Sequence, residues 1–239
     1  MNGAIILLPF LAQIILCSAA VPPVTKCKLS DSDCVKNSAV AFAPNIIAGI
    51  PDIGTEPVDP MHLKEIKVEL SGLNLLMNDV VITGLKDAKL QKVSVDMEKK
   101  QLKILLNSDY NLKGKYKASG KLLILPISGD GDATFDIKNL VMDITATFEV
   151  VKNSEGKDTM LLKSFNYDYE IKGGNHVMLT NLFNGNQALS DALHKFMDDN
   201  WKQLSEEFGR PLLDSTNKEI FKVIKKYLKS QPLEEISVP

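Results

Sequence analysis

The sequence predicts an α+β domain in which a mostly antiparallel β-sheet curls around one long apolar helix. Between about Leu63 and Leu182 apolar residues recur at every second position, the period of a strand, and after "NGNQ" at residues 184–187 they recur every third or fourth, the period of a helix. No internal repeat or low-complexity segment divides the chain. A long helix and a long sheet have few ways to bury both apolar faces, and wrapping the sheet round the helix is the simplest.

The first twenty residues, "MNGAIILLPFLAQIILCSAA", carry no charge and end in small residues. They read as a secretory signal peptide, residues 1–20, cleaved near Ala20. The apolar run from Ala4 to Cys17 is short against the roughly 20 residues that span a bilayer. A single domain, residues 21–239, is expected to remain. Its net charge of −2 gives no electrostatic reason to expect nucleic acid. Cys17 leaves with the leader. The remaining pair, Cys27 and Cys34, is separated by "KLSDSD" and in an oxidising compartment is most simply a disulfide.

From Asp31 the residues Val35, Ala39, Phe42, Ile46 and Ile50 keep helical spacing, with Ser30 or Asp31 as N-cap and Pro44 as a kink. "GIPDIGTEPVDP" then ends the helix in an irregular connection. Ile66, Val68 and Leu70 alternate with polar residues, as do Val93, Val95 and Met97 before the turn "EKKQ". "NSEGKD" from Asn153 is a further turn, and about six to eight strands fit the region. The stripe Leu189, Leu193, Phe196, Met197, Trp201, Leu204 and Phe208 predicts a helix over residues 188–208, about 30 Å long. "GRP" at 209–211 is expected to kink or break it before a second amphipathic helix at "EIFKVIKKYL".

The most chemical-looking stretch, "GKYKASGKLLILPISGDGD" at 114–132, holds no chemistry on close reading. Its G-x5-G-K spacing is one residue too long for a phosphate loop, and Leu122 stands where Ser or Thr would hold magnesium. Asp130, Asp132 and Asp136 fail the calcium-loop pattern, with Phe135 where glycine is needed. Instead Tyr110, Leu112, Gly114, Tyr116, Ala118 and Gly120 alternate with lysines and other polar residues, a strand with one lysine-rich face in water. "SGDGD" is expected to be the turn that follows. His62, His176 and His194 stand at no metal-binding spacing, and no G-x-S-x-G nucleophile elbow occurs. No cofactor, metal or catalytic residue is expected.

The sequence does supply apolar volume. Inward-facing candidates on the sheet are Val95, Tyr116, Leu122, Ile124, Phe135, Ile137, Met142, Ile144, Phe148 and Phe165. On the helices they are Phe42, Ile46, Ile50, Leu193, Phe196, Met197, Trp201 and Leu204. Each is either packed core or the wall of a cavity.

"CKLSDSDC", "NIIAGIPDIGTEPVDP" and "LSDALHKFMDDNWKQLSEEFGRPLL" sit at places along nearly the whole chain that resemble the insect takeout and juvenile hormone binding protein family. The resemblance implies a long C-terminal helix wrapped by a strongly curved antiparallel sheet, enclosing an elongated hydrophobic tunnel for a lipid-like ligand. It also implies that Cys27 and Cys34 are bonded. Hormone carriers of the family have a second disulfide for which this chain has no cysteines, which favours the takeout branch over a juvenile hormone carrier. The expected function is that of a secreted, monomeric, non-enzymatic carrier of a fatty acid, terpenoid, quinone or odorant-like molecule. A juvenile hormone carrier proper, an esterase acting on lipids, and a module that contacts a membrane or receptor through its lysines are the alternatives.

Overall fold

The computed structural model describes residues 21–238, so the leader reading lies outside the described residues. Helix α1 (Ser32–Ala48) begins where the Asp31 carboxylate accepts the Cys34 N–H at 3.0 Å, a side-chain N-cap. It carries Pro44 inside and ends at Gly49. Six strands follow: β1 (Met61–Leu70), β2 (Leu73–Thr83), β3 (Lys89–Asp96), β4 (Gln101–Leu122), β5 (Leu125–Lys152) and β6 (Asp158–Leu179). Then come α2 (Gln187–Asp199), α3 (Trp201–Ser230) and a short C-terminal turn of helix, α4 (Leu233–Ile236).

All strand pairs are antiparallel, in the order β1-β2-β4-β5-β6. β3 pairs the first half of β4 and β2 the second half, so the two lie end to end along one edge of β4. The 28 residues of β5 would reach about 90 Å if straight. The 30 residues of α3 span about 45 Å. Strands that long stay in contact with such a helix only by coiling about it. Register shifts at Asn78/Val81, Leu90/Lys92, Ser108/Tyr110, Lys138/Leu140 and Thr147/Phe148 supply the local bends.

Two expectations about the chain path are corrected. "SGDGD" is not a turn: β5 runs straight through it, with Gly129 opposite Ala118 and Asp132 opposite Lys115. The turn between β4 and β5 is made by Leu123 and Ile124, with Leu123 at φ 55°. The glycines serve close approach instead. A Cβ on Gly129 would stand 2.6 Å from the Tyr116 hydroxyl, and one on Gly131 would collide with the Thr180 hydroxyl. Ile124, expected to face inward, is therefore 82% exposed at a turn tip.

The helix break is displaced too. It falls at Asn200, whose side-chain amide donates to the Phe196 carbonyl at 2.8 Å, and α3 then runs unbroken through Gly209, Arg210 and Pro211. Packing overrides the proline: the Arg210 guanidinium lies 4.6 Å from the Tyr167 ring centre and donates to the Tyr167 carbonyl at 3.0 Å, while Leu212 and Leu213 are buried just beyond.

The core is laid out along α3. The main body, including Ile66, Met77, Ile82, Leu140 and Met142, lies between the sheet and the first half of α3. A second cluster around Phe148, Met160 and Leu162 lies towards its C-terminal half, and Phe42, Ile50 and Tyr227 join α1 to the helix. Cys27 and Cys34 form a disulfide with a Cα separation of 5.7 Å, and Val238 donates its N–H to the Cys27 carbonyl, tying the two chain ends together. Replacing both cysteines with serine should cost about 2–3 kcal/mol of stability, read as a lower urea midpoint with the fold retained.

All five tyrosines are buried or half-buried, and burial raises every hydroxyl, Tyr116 and Tyr227 to about 12. A phenol whose folded value is raised adds stability that is complete below its unfolded value near 10 and is lost as pH climbs through the folded value. The expectation is a protein that keeps its tyrosines neutral past pH 10 and ionises them together as it unfolds on the approach to about 12. Near-ultraviolet absorbance recorded with circular dichroism checks this; separate ionisation near 10 in an intact fold would contradict it.

Candidate functional site

Inward positions on β4, β5 and β6 face α2 and the first half of α3, and between them lies an apolar cavity of about 70 Å³. Its walls come from five strands and two helices: Val68 of β1, Leu73 and Leu75 of β2, Ala118 and Leu122 of β4, Ile127 and Phe135 of β5, Val177 and Leu179 of β6, Met197 of α2, and Leu204, Phe208, Gly209 and Leu212 of α3. The residue with no side chain, Gly209, sits mid-helix because Tyr169 fills its place: a Cβ there would stand 2.8 Å from the Tyr169 hydroxyl. That hydroxyl donates to the Ser205 carbonyl at 2.7 Å.

Two polar side chains interrupt the apolar wall, Asn175 and Ser205. Asn175 also borders an open cleft of about 450 Å³ lined by Asp136, Lys138, Gly173, Gly174, His176, Asp198 and Trp201. The cavity and the cleft thus share one residue, and Asn175 stands where the interior meets the surface. At the rim the His176 and Asp198 side chains meet at 2.7 Å, pinning β6 to the end of α2.

The residues expected to line the interior divide by place. Leu122, Phe135, Met197 and Leu204 line the cavity, and Trp201 lines the outer cleft. Tyr116, Ile137, Met142 and Leu193 are buried in the main core, with Ile144, Phe165 and Phe196 packed against it. The Tyr116 hydroxyl is committed to the Thr180 carbonyl at 2.7 Å. Val95 and Phe148 belong to the second cluster, Phe42 and Ile50 to the third, and Ile46 packs against both the main and third clusters. Asn175, Ser205, Ala118, Val177 and Phe208 are cavity residues that periodicity did not pick out as lining.

Ser190 and His194 come within 3.4 Å, the pairing an esterase would need. The ring is turned the wrong way. His194 Nε2 accepts the Leu179 N–H at 3.0 Å, so in the neutral imidazole Nδ1 carries the proton and has no lone pair to take one from Ser190. Asp198, one turn further along α2, is engaged by His176. Among the described residues no group of three or more His, Cys, Asp or Glu is placed to hold a metal ion, and no helix is long and apolar enough to cross a membrane.

Residues 5–237 match the family described as haemolymph juvenile hormone binding protein (JHBP). The chain is similar to the crystal structure of Epiphyas postvittana Takeout 1, with a TM-score of 0.88 and 38% identity over 90% of this chain and 100% of that one. It is 28% identical over 225 residues to the circadian clock-controlled protein daywake of Drosophila melanogaster, covering 89% of this chain and 86% of that protein. A putative beta-carotene-binding protein of Schistocerca gregaria is 26% identical over 133 residues, 54% of this chain and 53% of its own.

Proposed function

The chain belongs to the haemolymph juvenile hormone binding protein family, and from that premise we propose that it is a secreted carrier holding one long apolar molecule between the sheet and α3. The observation that carries the reading is the cavity itself. It is walled by apolar side chains from five strands and two helices and shares one wall residue, Asn175, with a solvent cleft. Its about 70 Å³ is too little for a long chain, which is accommodated by swinging flexible walls such as Met197, Leu204 and Leu212 aside and extending the cavity along α3 into a tunnel. Each methylene removed from water is worth about 0.8 kcal/mol, giving a chain of about 12–15 carbons roughly 10 kcal/mol before ordering costs.

Fatty acids, terpenoids, quinones and odorant-like molecules suit such walls. Juvenile hormone proper is the second choice, because the second disulfide of the hormone carriers has no cysteines here. Secretion rests on the uncharged leader and the disulfide. Titration with a fluorescent fatty acid should give saturable binding of one molecule per chain, displaced by unlabelled lipids. A ligand at 100 times its Kd should add about 2.7 kcal/mol of stability. No saturable uptake of any long-chain probe would sink the carrier reading.

A further inference from the structure

Asn175 occupies an inward strand position, in line with Ile171, Val177 and Leu179, where the period of β6 calls for an apolar side chain. Its side-chain amide donates to Ser205 Oγ at 3.1 Å. The orientation of that amide is fixed by chemistry. Ser205 Oγ lies 2.7 Å from the Trp201 carbonyl, which only accepts, so the hydroxyl proton is spent there and the serine oxygen accepts from Asn175. The amide nitrogen therefore faces Ser205 and the carbonyl oxygen faces away from it. That oxygen is closed to solvent and has no hydrogen-bond partner among the described residues. A buried polar atom without a partner is costly, and a native structure retains few of them without a use.

Resting on the carrier reading, we propose that Asn175 Oδ1 is the polar anchor of the ligand site, and that the preferred ligand is a long apolar molecule ending in a neutral hydroxyl group. A hydroxyl brings the donor that this acceptor lacks, at the one wall residue shared by the cavity and its cleft. The apolar tail then lies inward against Phe135, Leu204 and Phe208. Ethers, esters and hydrocarbons bring no donor and leave the oxygen unpaired, and an ionised carboxylate brings only further acceptors. A site built to bond a ligand hydroxyl discriminates against analogues lacking it far more sharply than an apolar wall discriminates on size.

The test compares n-tetradecanol with its isomer methyl tridecyl ether, each displacing a fluorescent apolar probe. The two have the same heavy atoms and differ in the donor. The wild-type protein should bind the alcohol at least about tenfold more tightly. In Asn175→Leu the alcohol should fall to the level of the ether while the ether holds or improves. Ser205→Ala, which frees the amide to rotate, should also shrink the alcohol-to-ether ratio, and unchanged far-ultraviolet circular dichroism establishes that either variant is folded. Equal affinities in the wild type, or a preference that survives Asn175→Leu, would overturn the anchor and leave the carrier standing. Failure of either compound and of the probe itself to bind would overturn the carrier and the anchor with it.

Discussion

Ala118→Leu should weaken carriage of long apolar molecules at least about tenfold while leaving the protein about as stable as before. Ala118 is a buried, inward residue of β4 that borders the cavity beside Leu75, Leu122 and Ile127. A leucine there projects its added carbons into the void. Cavity energetics of about 24 cal/mol per Å³ put the gain from filling about 70 Å³ at up to about 2 kcal/mol, while any overpacking costs about 1–3 kcal/mol. The two nearly cancel, so the thermal midpoint should move by only a few degrees. Binding has no such compensation, because a filled cavity must be reopened before a ligand enters. Affinity for a fluorescent fatty acid should drop about ten- to thirtyfold. Wild-type affinity in a folded Ala118→Leu protein would place the ligand elsewhere.

Gly49→Ala should cause a large loss of stability. Gly49 ends α1 at φ 77°, ψ 155°, a region open essentially to glycine alone. A Cβ there would lie 2.8 Å from three backbone atoms of Thr55, Glu56 and Pro57. These atoms cannot retreat, because the loop is closed on itself: Ile50 donates its N–H to the Thr55 hydroxyl at 2.6 Å, and Val58 donates to the Ile47 carbonyl at 3.0 Å. Val58 is in turn buried in the main core. The expected cost is about 3 kcal/mol, read as a lower urea midpoint with unchanged slope. A cost below about 1 kcal/mol would mean that the loop yields more easily than its bonding implies.

Much of this architecture was legible in the residues. The alternation from Tyr110 to Ala118 placed Tyr110, Leu112, Tyr116 and Ala118 inside and Lys113, Lys115 and Lys117 in water, as the strand has them. The helix start at Ser30 or Asp31, its end at "GIPDIG" and the turns at "EKKQ" and "NSEGKD" were equally plain, because each follows from local backbone chemistry. The misplaced features depended on distant partners. Gly129 and Gly131 imitate a turn, yet they are glycine because Tyr116 of β4 and Thr180, just past β6, crowd them. Leu123 and Ile124 imitate a buried strand, and only pairing across β4 and β5 makes them its turn. Pro211 announces a break that Arg210 and the tyrosines of β6 hold together.

The candidate site was less legible, for a related reason. Apolar periodicity finds faces that point inward, but whether a residue such as Met142 packs solidly or Phe135 borders a void is decided by the shapes opposite it. Asn175 was hidden further, because it is polar and the inward candidates were chosen for being apolar. Its meaning appears only when Ser205, on another element, takes up the amide nitrogen. The one signal available was a polar side chain on the inward phase of a strand, matched by a serine on the inward stripe of a helix.

The central claim is that this protein carries one long apolar molecule in its interior, and the bound molecule itself is the most direct witness. Protein from its native source, extracted with organic solvent and analysed by mass spectrometry, should release a single class of long apolar compound at about one molecule per chain. Native protein that yields no such compound, and whose purified form takes up none when offered, would contradict the claim.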